Sequence, residues 1–168
     1  MSVSGLASYL KGRVVFMDND NVMTVHKKQV NFIVSILARL GLYKRYEKVS
    51  ELNDTALIRL KPSHQDINSL VGNEFNKELF MRGVYEGYSS GKDNELPVTL
   101  EMTKWDIFKN LSFTTTTVEN SMCIMKFSNK VKFLKVLYKN HLELGSYYYY
   151  ERFKQATINH RGKKDKPS

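Results

Sequence analysis

From Gln29 onward, Val30, Ile33, Val34, Leu37 and Leu40 recur three or four residues apart, the spacing of one helical face, and Gly41 supplies a stop. Around this helix the pattern changes to alternation. RVVFMDND and NVMTVHK read as two strands joined by a turn at Asp18-Asn19-Asp20-Asn21. LYKRYEKV and TALIRLK read as two more, separated by the turn-prone SELND, and SHQDINSLVG then reads as a helix with Ser63 at its N-cap. The predicted order is two strands, helix, two strands, helix.

The second half of the chain repeats this order after an apolar-rich helix over Asn76 to Tyr88 and the turn-prone SSGKDNELP. At a constant offset of 75, Thr24, Val30 and Ile33 align with Thr99, Trp105 and Phe108. At an offset of 67, Ile58-Arg59-Leu60 aligns with Met125-Lys126-Phe127, and Ile67 and Leu70 with Leu134 and Leu137. A period this long in two copies points to two half-domains rather than a solenoid. The expected division is 1–75 for the first half, 76–160 for the second and 161–168 for a basic flexible tail, RGKKDKPS.

Length and charge narrow the reading. With 168 residues the chain can bury one substantial core or two small ones. Its 26 Lys and Arg against 17 Asp and Glu give a net charge of +9, which favours a polyanionic partner. A single cysteine, Cys123, excludes an internal disulfide and a multi-cysteine zinc site, and its apolar strand SMCIMKF suits a buried small side chain better than a nucleophile. The most apolar stretch, Val30 to Leu42, is broken by Asn31, Ser35, Arg39 and Gly41 and is shorter than the roughly 20 residues a bilayer requires, so no membrane partner is expected. The opening MSVSGLASYLKGRVVF has no early basic region ahead of a long apolar core, so an intracellular protein is expected.

The helix ELFMRGVYEGYSS resembles a degenerate LAGLIDADG motif, the signature of a family of homing endonucleases and RNA maturases. Gly83 would permit close helix packing, with Met81, Val84 and Tyr85 filling the neighbouring surface. VSGLASYLK is the corresponding earlier segment, with Gly5 in the place of Gly83. The resemblance also takes in the closing FLKVLYKNHLELGSYYYYERFKQ and covers about Val3 to Gln155. It implies an α+β fold of two pseudo-symmetric LAGLIDADG-like halves, whose antiparallel sheets form a saddle and whose motif helices pack at a pseudo-twofold axis. Family members carry an acid near the end of each motif helix to hold a divalent cation. Alignment on Gly83 puts Tyr88 at that position, and alignment on Gly5 puts Leu10 there. Neither can replace a carboxylate.

The resemblance therefore implies binding without cleavage: a nucleic-acid-binding protein with duplex DNA as partner, no catalytic residue and no cofactor. Glu86 is the residual catalytic candidate, although a solvated helix-terminal acid explains it as well, and Mg2+ would be required only if nuclease activity survived. Asp18 and Asp20 are explained by their turn. Alternatives are a metal-dependent DNA endonuclease, an RNA-binding maturase, and a protein-interaction module docking through its aromatic C-terminal helix. Lys44, Arg45, Lys48, Arg59, Lys104 and Lys126 are the candidates for phosphate or groove contacts. Thr114 to Thr117 reads as β-branched structure, while successive tyrosines from Tyr147 to Tyr150 cannot all face one partner on a helix. His26, His64, His141 and His160 lack metal-ligand spacing.

Overall fold

The structure is a computed structural model, and it describes residues 2–16, 21–42, 46–60, 65–88, 114–120, 122–128 and 130–139. They form a mixed α+β arrangement with small antiparallel sheets. Two compact units divide the chain, one of Met1–Lys92 with His141–Tyr148 and one of Asp93–Asn140 with Tyr149–Ser168.

The first unit opens with helix α1, Val3–Arg13. Ser2 caps it, its Oγ accepting the Gly5 N–H at 3.1 Å. Gly5 through Leu10, Gly12 and Arg13 are all buried, so α1 runs through the interior rather than along the surface. The expected strand over RVVFMDND does not form in its described part, residues 13–16, and Met17 to Asp20 lie outside the described residues. Val14–Phe16 instead tightens into a 3-10 turn that prolongs α1, with the Val14 N–H donating to the Gly12 and Leu10 carbonyls. A helical end leaves carbonyls in need of donors, and a buried Val14 satisfies two of them here more readily than a strand edge could.

Strand β1, Val22–His26, is followed by helix α2, Val30–Arg39, which matches the predicted helix, and Gly41 stops it at φ +74°. Strands β2, Tyr46–Leu52, and β3, Thr55–Leu60, form a hairpin across Asn53-Asp54. Asn53 takes φ +53°, a conformation Asn tolerates in tight turns. β1 joins the other edge of β3, giving the antiparallel order β1-β3-β2. Met23, Val25, Ile58 and Leu60 alternate onto one face and join Leu6, Leu10, Ile33 and Leu37 in a single buried cluster.

Helix α3, Gln65–Val71, confirms the predicted helix, while Ser63 lies outside the described residues. Helix α4, Lys77–Tyr88, follows, and α1 packs against both α3 and α4. The expected boundary after residue 75 thus separates two helices that belong to one compact unit and share α1 as a neighbour. Asn76 fixes the start of α4: its Oδ1 accepts the Leu79 N–H at 3.0 Å, and its own N–H donates to Ser8 Oγ at 3.0 Å. Asn76→Ala is expected to cost about 1 kcal/mol, measurable as a lower midpoint in urea unfolding at unchanged slope.

In the second unit, strands β4, Thr114–Glu119, and β5, Met122–Phe127, form a hairpin in register Thr114↔Phe127 to Glu119↔Met122, and helix α5, Lys130–Lys139, follows. The threonine run is strand, as its β-branched side chains favour. Asn120 takes φ +48° at the turn, as Asn53 does in the first hairpin. The offset of 67 read from the sequence carries Asn53 onto Asn120 and both ends of β3 onto those of β5. Where the first hairpin carries an extra residue in β2 between Lys48 and Ser50, the second keeps regular register. VTLEMTKWDIFKNL, which carries the offset of 75, lies outside the described residues, as do Asp18, Asp20 and Tyr147 to Tyr150. Among the described residues no helix is long and apolar enough to cross a membrane.

Candidate functional site

The most distinctive construction is the crossing of α1 and α4. A Cβ built on Gly12 would overlap the Phe80 carbonyl oxygen and stand 2.8 Å from the Val84 nitrogen. A Cβ on Gly83 would overlap the Tyr9 carbonyl oxygen and stand 2.8 Å from the Arg13 nitrogen and 3.1 Å from the Gly12 Cα. The contacts are reciprocal. Each glycine meets the residue three before and the residue one after its counterpart, at an offset of 71. Backbones this close leave room for hydrogen alone at the crossing point.

Gly83 is therefore at the helix crossing, as expected, but its partner is Gly12 rather than Gly5. Gly5 precedes Gly12 by about two helical turns, so both lie on much the same face of α1 and sequence spacing alone could not choose between them. Aligned on the two glycines that meet, Tyr9-Leu10-Lys11-Gly12-Arg13 stands over Phe80-Met81-Arg82-Gly83-Val84, in each case an aromatic, an apolar and a basic residue ahead of the glycine.

Beside the crossing lies a buried polar group. Tyr9 Oη donates to the Glu86 carboxylate, 3.3 Å from Oε1 and 3.2 Å from Oε2. Arg82 Nε stands 3.6 Å from Glu86 Oε2, one turn back on α4. Exposure is 0% at Glu86 and Tyr9 and 2% at Arg82 and Arg13. Glu86 is thus no solvated helix-terminal acid, since α1 covers the face of α4 that carries it. Both its oxygens are engaged by the protein, an arrangement suited to holding two helices in register. Among the described residues no cluster of three His, Cys, Asp or Glu could hold a metal ion.

The basic candidates are distributed differently. Lys44, Arg45 and Lys104 lie outside the described residues. Lys48 pairs across the sheet with Ile58, and Arg59 with Glu47, so Lys48 and Arg59 point to opposite faces. Lys48 nevertheless reaches solvent from the edge strand, its Nζ 3.4 Å from Glu51. Arg59 shares the face away from the core with Val22, Thr24 and Leu57, and its guanidinium is 3.8 Å from Glu47. It is the one Lys or Arg among the described residues of that face. Lys126, at the offset of 67 from Arg59, is exposed and lies opposite Thr115 in the hairpin register. Lys132 and Lys135 of α5 are also exposed, while Phe133 and Leu137 of the same helix are buried.

Tyr9, Arg82 and Arg13 were not among the residues expected from sequence. The four-residue spacing of Arg82 and Glu86 was a visible signal for their ion pair. Nothing local joins either to Tyr9, which is 77 residues from Glu86.

Fold and site together define an α+β chain whose first unit is organised around two helices crossing at glycines, with a buried Tyr-Glu-Arg contact alongside. Compared with family models, curated proteins and solved structures, the chain gives no match.

Proposed function

We propose that this chain is a nucleic-acid-binding protein built on two LAGLIDADG-like halves, and that it binds duplex DNA without cleaving it. The observation that carries this reading is the reciprocal crossing at Gly12 and Gly83. It is the packing the resemblance requires of its two motif helices, and it holds at a constant offset of 71. The paired hairpins, each turning at an Asn of positive φ and related by the offset of 67, support the same duplication.

Loss of cleavage follows from the corrected register. In the resembled motif the metal-binding acid stands five residues beyond the glycine that Gly83 matches. That is Tyr88 in the second copy and Met17 in the first. Neither side chain supplies an oxygen ligand of the kind Mg2+ demands. Glu86, two residues earlier, has its carboxylate committed to Tyr9 and Arg82.

Binding rests on charge. The net +9 of the chain supplies the field, and between residues 114 and 139 five lysines stand against one acid, Glu119. Titration of labelled duplex DNA against the protein across a salt series is expected to give a linear fall of log affinity with log salt, as bound Lys and Arg release counterions. Lys126→Ala is expected to weaken binding across sequences and to reduce the slope by about 1. Absence of association at low salt by folded protein removes the reading. Strong preference for structured RNA in competition at matched salt reassigns the partner to RNA, and salt-insensitive capture of a protein without nucleic acid favours an assembly module.

A further inference from the structure

The near-equivalence of the two crossing helices raises a question of partner choice. A reciprocal crossing built on glycine backbones places no steric bar against α1 pairing with α1 of a second copy, or α4 with α4. Around the glycines, however, the side chains are not equivalent. The offset of 71 maps Tyr9 onto Phe80 and Val15 onto Glu86. The two aromatics differ by a hydroxyl, and their counterparts differ by a carboxylate against an isopropyl group.

We infer that the Tyr9–Glu86–Arg82 contact is a pairing selector, which makes α1 and α4 of one chain partners and disfavours homotypic contacts between two copies. In the α1–α4 crossing, the Tyr9 hydroxyl meets Glu86 on one side. On the other, α4 packs against the Val14–Phe16 turn, and the offset of 71 assigns Phe80 and Val15 to the positions that Tyr9 and Glu86 hold on the first side. An α4–α4 crossing sets a Glu86 carboxylate against a Phe80 ring at both positions, and the ring has no donor. An α1–α1 crossing sets a Tyr9 hydroxyl against Val15 at both positions. Arg82 stays with Glu86 on its own helix in every arrangement, so it cannot substitute for the phenol across the interface. A buried acceptor deprived of its donor is costly, which turns one hydroxyl and one carboxylate into discrimination. This inference depends on the crossing alone and stands apart from nucleic-acid binding.

The test uses the full chain in three forms: the unaltered protein, Tyr9→Phe, and Tyr9→Phe/Arg82→Met/Glu86→Val. The triple variant replaces the buried ion pair by apolar side chains, a change that buried pairs commonly tolerate. Light scattering over a concentration series gives the oligomeric state. Lysine cross-linking of mixed isotopically light and heavy chains shows whether Lys11 of one copy lies beside Lys11 of another. The unaltered chain is expected to be monomeric without Lys11–Lys11 links. The triple variant is expected to dimerise with such links at a concentration about tenfold or more below the unaltered chain. Tyr9→Phe, which retains Arg82 and Glu86, is expected to shift in the same direction and decides the matter should the triple variant not fold. An unchanged oligomeric balance in the variants, dimers lacking Lys11–Lys11 links, or those links in the unaltered chain each overturn the inference.

Discussion

Gly83→Ala and Gly12→Ala are each expected to destabilise the first compact unit by about 3 kcal/mol or more, at the upper end of what overpacking costs. The new methyl would collide with backbone, not with the end of a flexible side chain: the Phe80 carbonyl and Val84 nitrogen at Gly12, the Tyr9 carbonyl and Arg13 nitrogen at Gly83. Relief requires α1 and α4 to separate along their whole contact, which stretches the Tyr9–Glu86 hydrogen bonds and opens the packing of Leu6, Leu10 and Leu79. A loss of that size is a large part of the roughly 5–15 kcal/mol that holds a typical domain folded. Gly41→Ala is the control, because Gly41 has no atom within 4 Å of its would-be side chain and suffers only from its φ of +74°. Its expected cost is about 1 kcal/mol. Thermal unfolding followed by circular dichroism separates the two outcomes, and equal losses at Gly12, Gly83 and Gly41 would rule out a close helix crossing.

Glu86→Ala is expected to cost about 3–5 kcal/mol, the range found when one partner of a buried ion pair is removed. The variant leaves the Arg82 guanidinium, 2% exposed, without the carboxylate beside it, and leaves the Tyr9 hydroxyl facing a small void. Glu86→Gln retains an oxygen that accepts from Tyr9 and is expected to lose distinctly less. Tyr9→Phe gives the complementary measurement. A double-mutant cycle over Tyr9 and Glu86, read by urea unfolding, is expected to show coupling well above the few tenths of a kcal/mol that unconnected sites show. Additive losses would mean that the contact contributes nothing as a pair.

The helix over Val30–Arg39 and its glycine stop, the β2–β3 hairpin and α4 were legible because each depends on a short-range pattern: helical spacing of apolar residues, alternation, or a residue that tolerates positive φ. The stretch Val14–Phe16 departs from its local pattern for a related reason. Two valines and a phenylalanine carry strong strand preference, yet the end of α1 needed donors for its carbonyls and a buried apolar residue to continue its packing, and tertiary context prevailed over propensity. From sequence alone Glu86 reads as a solvated terminal acid, because a charged residue near a helix end ordinarily faces water. The side of α4 covered by α1 cannot be deduced from α4 alone.

Local sequence determined which segments became helix and which became strand through most of the described chain, the close packing that Gly83 permits, and the excess of positive charge available to a polyanion. The tertiary structure decided which glycine meets Gly83, that Glu86 is enclosed by Tyr9 and Arg82, and that Lys48 and Arg59 lie on opposite sheet faces. The division has a physical origin. Periodicity and turn chemistry act over a few residues, whereas a helix crossing joins positions at an offset of 71 and a strand register sets the face of every side chain at once, and both are fixed only when the elements pack.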